Sequence, residues 1–277
     1  MKKKIIIILL VIGGSRLQSQ EVIDSVKFRI SYTFSYKTNP LQSDYSRTDL
    51  MYLDIGEKVS KFYSRYDQIR DSIQTEGLNN HMPINEINSL KNTYTKGIPQ
   101  IFYHLFQDNI FISTDRFVFL HTLYKETAKI PEWSIGNEVK VISGYTCRKA
   151  IAIYFGREWH VYFTVQIPLN LGPWKLWGLP GLILEASDKD NFFKYELHGF
   201  ERIQNYSPII YTHKNYDNKE YTIVDKNTFR KIERLYNEDN SEFMKMFLGV
   251  KSVSATKPDG TVIEGKISIP YIPLEPW

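Results

Sequence analysis

The chain has 277 residues, of which 42% are hydrophobic and 14% aromatic, with nineteen tyrosines and one cysteine. That length can bury one sizeable core, and a lone cysteine excludes an intramolecular disulfide framework. The formal charge of +4 resides in Lys2, Lys3, Lys4 and Arg16; without them the 35 basic residues fall to the level of the 31 acidic ones. The electrostatic case for nucleic acid or an anionic membrane as partner disappears with them.

Three lysines precede the apolar run Ile5 to Ile12, which is too short to span a bilayer. This is the pattern of a secretory signal peptide, so residues 1–20 are expected to be removed, leaving 21–277 as a single exported domain without a transmembrane segment. From Val22 to Tyr36 the even positions are apolar, Asp24 excepted, while from Ser25 onward serine, threonine, lysine and arginine hold the odd ones. A strict period of two predicts one long strand in a large antiparallel sheet covered on one side only. Leu50 to Ile55 and Val59 to Tyr66 continue the meander, followed by a short helix over Asp67 to Glu76 and a polar excursion from 77 to 98 with a helical turn near Glu86 to Lys91.

Strands resume at Ile101 to Phe106, Ile110 to Ser113 and Phe117 to Glu126. Thr146 to Phe155 and Glu158 to Pro168 flank the tight turn Gly156-Arg157, and Leu182 to Ser187 pairs with Phe192 to Phe200. Asp225 is read as the N-cap of a helix from Lys226 to Tyr236, with Phe243, Met246 and Phe247 in a second short helix. Lys257-Pro-Asp-Gly260 reads as a turn before an edge strand over Thr261 to Ile269, and prolines 270, 273 and 276 end the chain in an extended tail. The fold class expected is α+β and β-rich: a large curved antiparallel sheet, half-barrel-like, with one or two C-terminal helices and a short N-terminal helical excursion.

The densest signal is the run Gly172 to Leu184, which places three glycines, two prolines, Trp174 and Trp177 among aliphatics with no acidic residue. Glycine and proline together specify a rigid, irregular path rather than a flexible linker. Trp177-Gly-Leu-Pro-Gly-Leu-Ile183 resembles the signature of the GLPGLI family, exported proteins of double-membraned bacteria. Ile142-Ser-Gly-Tyr-Thr-Cys-Arg-Lys-Ala150, Trp159 to Pro168 and Ile272-Pro-Leu-Glu275 extend the resemblance over most of the mature chain. It implies a periplasmic or secreted location and supplies no catalytic residues. The segment from Ile142 through the Gly-Pro loop is also similar in pattern to outer-membrane lipoprotein carriers and sensors, whose half-barrels hold acyl chains on the concave face.

Chemistry with a local signature is missing from the sequence. The histidines at 81, 104, 121, 160, 198 and 213 form no ligand spacing, and neither a nucleophile elbow nor a phosphate-cradling glycine loop occurs, so no metal, cofactor or catalytic residue is predicted. Cys147 is read as a small core residue, Asp188 and Asp190 as solvated turn carboxylates, and Glu185 as a strand-end carboxylate with a cross-strand lysine partner. Trp174, Trp177, Leu179, Tyr145 and Trp159 are the expected contacts for a ligand or partner. Three readings follow: a non-catalytic binding or chaperone-like protein holding a lipid, another apolar group or an envelope polypeptide; an interaction partner of an outer-membrane transporter or assembly machine; and an envelope hydrolase with a site assembled from distant residues.

Overall fold

A computed structural model describes residues 20–212, 220–256 and 260–276. The expected signal peptide, His213 and most of the turn at 257–260 lie outside the described residues. In chain order the elements are β1 (Gln20–Ser25), β2 (Phe28–Tyr36), β3 (Arg47–Ile55) and β4 (Val59–Ser64), then helices α1 (Arg65–Asn79) and α2 (Ile84–Asn92). The meander continues through β5 (Ile101–Leu105), β6 (Ile110–Phe117), β7 (Leu120–Thr127), β8 (Ser134–Ile142), β9 (Tyr145–Tyr154), β10 (Arg157–Thr164), β11 (Leu182–Asp188) and β12 (Phe193–Arg202). It ends with β13 (Pro208–Thr212), β14 (Thr222–Ile223), α3 (Lys226–Glu238), α4 (Asn240–Leu248), β15 (Ser254–Thr256) and β16 (Val262–Glu264).

Twelve strands form one sheet in the order β14, β7, β6, β5, β4, β3, β2, β12, β11, β10, β9, β8. All neighbours are antiparallel except β14, which runs parallel to β7. Nine strand spacings separate β7 from β9, roughly 43 Å if the sheet were flat. Yet Lys175 reaches both: its Nζ lies 3.0 Å from Tyr124 Oη on β7 and 4.9 Å from the ring of Phe155, the residue after β9. Tyr154 on β9 likewise donates to the carbonyl of Lys129, just past β7, at 2.7 Å. The sheet is therefore strongly curled, and its inner face closes around the Gly-Pro run.

The inner face carries the main core. Ile30, Tyr32 and Phe34 from β2 meet Leu53, Phe62, Trp159, Phe163, Leu184 and Tyr195, all buried. Tyr32 donates its hydroxyl proton to the carbonyl of Ile183 at 2.7 Å, which satisfies the one polar atom that it brings inside.

Three expectations need correction. The period-two stretch from Val22 to Tyr36 is not one strand: the chain breaks at Val26-Lys27, where Val26 N bonds Ser207 O and Lys27 N bonds Ile55 O. β1 then pairs with β13 in a separate two-stranded ribbon. Nor is the sheet covered on one side only. Val26 and Ile209 from the ribbon pack with Val59, Tyr103, Ile112 and Leu123, which point away from the main core. A period of two reports alternation and is blind to a strand changing sheets midway. The strand expected over Thr261 to Ile269 is also shorter: Val262–Glu264 pairs only with Ser254–Thr256, apart from the large sheet.

Helix α1 begins at Ser64, whose side chain accepts from Asp67 N. Helix α3 begins at Asp225, which accepts from Thr228 N at 2.9 Å, and its Phe229 and Ile232 face Phe117 and Tyr124 together with Phe243 of α4. No described helix is long and apolar enough to cross a membrane.

Candidate binding cleft and the clamp beneath it

The Gly-Pro run crosses from β10 to β11 over the inner face, and its path is fixed by close approach. An added Cβ at Gly181 would lie 2.0 Å from the carbonyl oxygen of Thr164, so only glycine fits there. Gly178 has φ +92, and Trp174 adopts φ +56, a left-handed value uncommon for a bulky side chain. Ile183 N to Leu171 O at 3.0 Å and Gly178 N to Asn170 O at 2.8 Å lock the run to its own flanks.

The five expected contact residues are divided by this path. Trp159 and Leu179 lie in the core, Trp159 at 0% exposure. Trp174 stacks at 5.5 Å from Trp159 and is itself buried. Trp177 is half-buried, donates from Nε1 to Lys129 O, accepts at its carbonyl from Trp133 Nε1, and meets His104 edge-on at 4.5 Å. Tyr145 is half-buried at the start of β9, against the same core. Trp159 and Trp174 are thus brought together, whereas Tyr145 and Trp177 stand apart.

Between the two tryptophans of the run, Lys175 is enclosed by anions. Its Nζ is 2.5 Å from Glu126 Oε1 and 2.6 Å from Glu275 Oε1. Burial alone would depress its pKa, but Tyr124, Glu275 and Glu126 outweigh that and hold the ammonium well above its ordinary value. Burial pushes Glu275 up, while Lys175 and Lys226 pull harder and bring it to about 2. Lys226 of α3 bridges Glu126 at 2.5 Å and Glu275 at 2.7 Å, so loop, strand, helix and C-terminal segment share one network. Arg157 adds a second fastening: it donates to the carbonyls of Leu274 at 3.0 Å and Pro273 at 2.6 Å, and pairs with Asp188 at 3.0 Å. Asp188 is consequently buried and also accepts from Phe192 N and Phe193 N, which corrects its reading as a solvated turn carboxylate.

The clamped C-terminal segment forms one wall of an open cleft of about 530 Å³. Its lining is mixed: Phe34, Tyr36, Ile98, Phe193 and Ile272 supply apolar surface, and Asp67 and Asp71 of α1, Asp115 and Arg116 of β6, and Glu233 of α3 supply polar groups. Arg116 holds Asp71 and Asp67 at 2.7 Å each. Asp67 is nevertheless pushed up by burial, against the pull of Arg116. Asp115 rises to about 6 through burial, although Gln100 Nε2 donates to it at 2.7 Å. Burial, helped by the charge of Asp115, pushes Glu233 to about 8, and Tyr271 hydrogen-bonds its carboxyl. Glu233 therefore remains protonated at neutral pH and can donate as well as accept. No group of three histidine, cysteine, aspartate or glutamate side chains able to hold a metal occurs among the described residues.

These cleft carboxyls escaped the sequence reading because they lie on three elements 48 to 166 residues apart in number, roughly, and none sits in a motif. Residues 156–185 match a family described as "Protein of unknown function (Porph_ging)". The match covers the β9–β10 turn, β10, the Gly-Pro run and the start of β11, so it falls on the clamp rather than on the cleft. No curated protein matches the chain in sequence. Among solved structures, one described as "Structure of PNGF-II in C2 space group" is similar at TM-score 0.48 and 12% identity, covering 74% of this chain and 32% of that one. A second, "Structure of PNGF-II in P21 space group", gives 0.48 and 14%, with 75% and 32% covered. The chain spans about a third of the length of these structures.

Proposed function

We propose that the protein is an exported, non-catalytic envelope protein that holds an amphipathic ligand, an apolar chain with a polar head, in the cleft. The observation that carries this reading is the cleft's mixed lining: aromatic and aliphatic side chains together with hydrogen-bonding carboxyls, around about 530 Å³. Ligand sites of this size combine apolar walls with a few placed polar groups. An apolar chain laid against Phe34, Tyr36 and Ile98 gains about 25 cal/mol per Å² removed from water. Protonated Glu233 offers a head group both a donor and an acceptor. Export is supported by the charged and apolar start of the sequence, and the string Gly178 to Ile183 supports placing the chain in the GLPGLI family.

The test is native mass spectrometry and organic extraction of protein purified from an envelope fraction. A stoichiometric amphiphile is expected with the wild type and should be lost from Ile98→Asp, which puts a charge in place of apolar lining. Protein that yields no amphiphile, and whose melting temperature no fatty acid or lysophospholipid raises, would sink the reading.

One observation favours a second reading. Carboxyls with raised pKa facing a cleft are the usual equipment of acid–base catalysis, and Glu233 with Asp115 meets that description. Turnover of a hydrolysable ester of a bound amphiphile, abolished in Glu233→Gln with binding retained, would favour this reading over simple binding.

A further inference from the structure

Beside the cleft lies a second, smaller cavity of about 20 Å³. Gln100, Glu233 and Leu274 face both spaces. Ser113 Oγ, Trp174 Nε1 and Arg230 Nε are three of the four buried atoms of its lining residues that have no hydrogen-bond partner among the described residues; Thr114 Oγ1 is the fourth. Ser113 is 3% exposed and Trp174 5%, so bulk solvent does not supply the missing bonds. Each buried polar group left unsatisfied costs about 1–3 kcal/mol, and folded proteins keep such groups few. Three around one small cavity call for a common partner.

The partner's chemistry follows from the lining. The indole and guanidinium nitrogens can only donate, so the occupant must accept at least two hydrogen bonds. The volume admits a single heavy atom, since one water needs roughly 10–15 Å³ of such space and two to four polar partners. An ammonium ion has no lone pair to offer. An anion is disfavoured because Glu275, held ionised by Lys175 and Lys226, lines the same cavity. We propose that the cavity is a binding site for one ordered water, which accepts from Trp174 Nε1 and Arg230 Nε and donates to Ser113 Oγ and the Glu233 carboxyl. This water joins β6, the Gly-Pro run and α3 at one point, and it gives Glu233 a partner on its buried side. It also explains the left-handed backbone of Trp174, a conformation costing about 1–3 kcal/mol that persists only where its surroundings fix it. The site does not depend on what occupies the cleft.

The experiment pairs a high-resolution crystal structure with oxygen-17 relaxation dispersion, both on the full chain without added amphiphile. One solvent peak within hydrogen-bonding distance of Ser113 Oγ, Trp174 Nε1 and Arg230 Nε is expected, with one long-lived water in solution. That long-lived signal should fall by one molecule in Ser113→Val, whose extra methyl groups fill the space, and in Trp174→Phe, which removes the indole donor. If Trp174→Phe does not fold, Ser113→Val carries the comparison. A cavity empty in wild-type crystals, or a count of long-lived waters unchanged by Ser113→Val, overturns the proposal.

Discussion

Lys175 Nζ lies 2.6 Å from Glu275 Oε1, across one hundred residues of chain. The ammonium has no exposure and is shared with Glu126, so removing it strands two carboxylates in a poorly hydrated site. Breaking a buried pair from one side typically costs about 3–5 kcal/mol. Lys175→Met should lose about that much in urea unfolding. Lys226→Met, whose side chain is partly exposed, should lose less. Equal losses would show that burial of the charge is not what matters.

Gly181→Ala brings a Cβ to within 2.0 Å of the Thr164 carbonyl, a backbone atom that cannot swing aside. Overpacking of this kind costs about 3 kcal/mol or more, and the loss should appear as a lower melting temperature. Gly144→Ala makes a useful contrast: its added Cβ meets nothing within 4 Å, so only the cost of φ +85 is left.

Stability should fall from mildly acid to neutral pH. Glu233, raised from 4.5 to about 8, contributes stability that is full below the unfolded value and lost as pH rises through the folded one. Asp115 and Asp49, both raised from 3.8 to about 6, act in the same direction over the lower part of that range. Glu275 has the opposite sign: depressed to about 2, it stabilises above 4.5 and that contribution is lost as pH falls toward 2. Denaturation midpoints should therefore peak near pH 4, and Glu233→Gln should flatten the limb between pH 6 and 8. A midpoint that rises over that limb would contradict the assignment.

Cys147 is fully buried in the main core, and burial pushes its thiol above the ordinary value. Thiol reagents should leave the native protein unmodified and react at a rate that follows denaturant-induced opening. Fast labelling without denaturant would place the thiol at the surface.

Asp225→Ala removes the N-cap of α3 and should cost about 1 kcal/mol. Because α3 carries both Lys226 of the network and Glu233 of the cleft, the same variant should broaden the carboxyl signal of Glu233 by NMR and loosen the Lys226 bridges, while the direct pairs of Lys175 with Glu126 and Glu275 stay in place.

Much of the sheet was legible because it obeys local rules. The alternation in β2, the tight turn between β9 and β10 (at Phe155-Gly156, one residue before the expected Gly156-Arg157) and the Asp225 cap each depend on residues within a few positions of one another. Glu185 pairs with a lysine, Lys140, at 2.7 Å, though on β8 rather than on a neighbouring strand, and Cys147 lies inside the core. The outer ribbon was hidden because the break at Val26 depends on Ser207, 181 positions away by number, roughly, and alternation persists across it. Asp188 was misread for a similar reason: a turn carboxylate is ordinarily solvated, and only Arg157, together with the segment it fastens, makes this one buried. The cleft was the least legible part. Its carboxyls acquire their properties from burial and from each other, and neither exists before the sheet curls.

That curl sets an order of events for the newly made chain. Strands on opposite rims must meet before the charge of Lys175 is neutralised, and residue 275 must be present to neutralise it. Contacts of such sequence separation form late, because the loop they close must first be ordered. A chain without Glu275 would gather its sheet around an ammonium that lacks one of its two carboxylates, so the segment around Glu275 completes the centre of the fold.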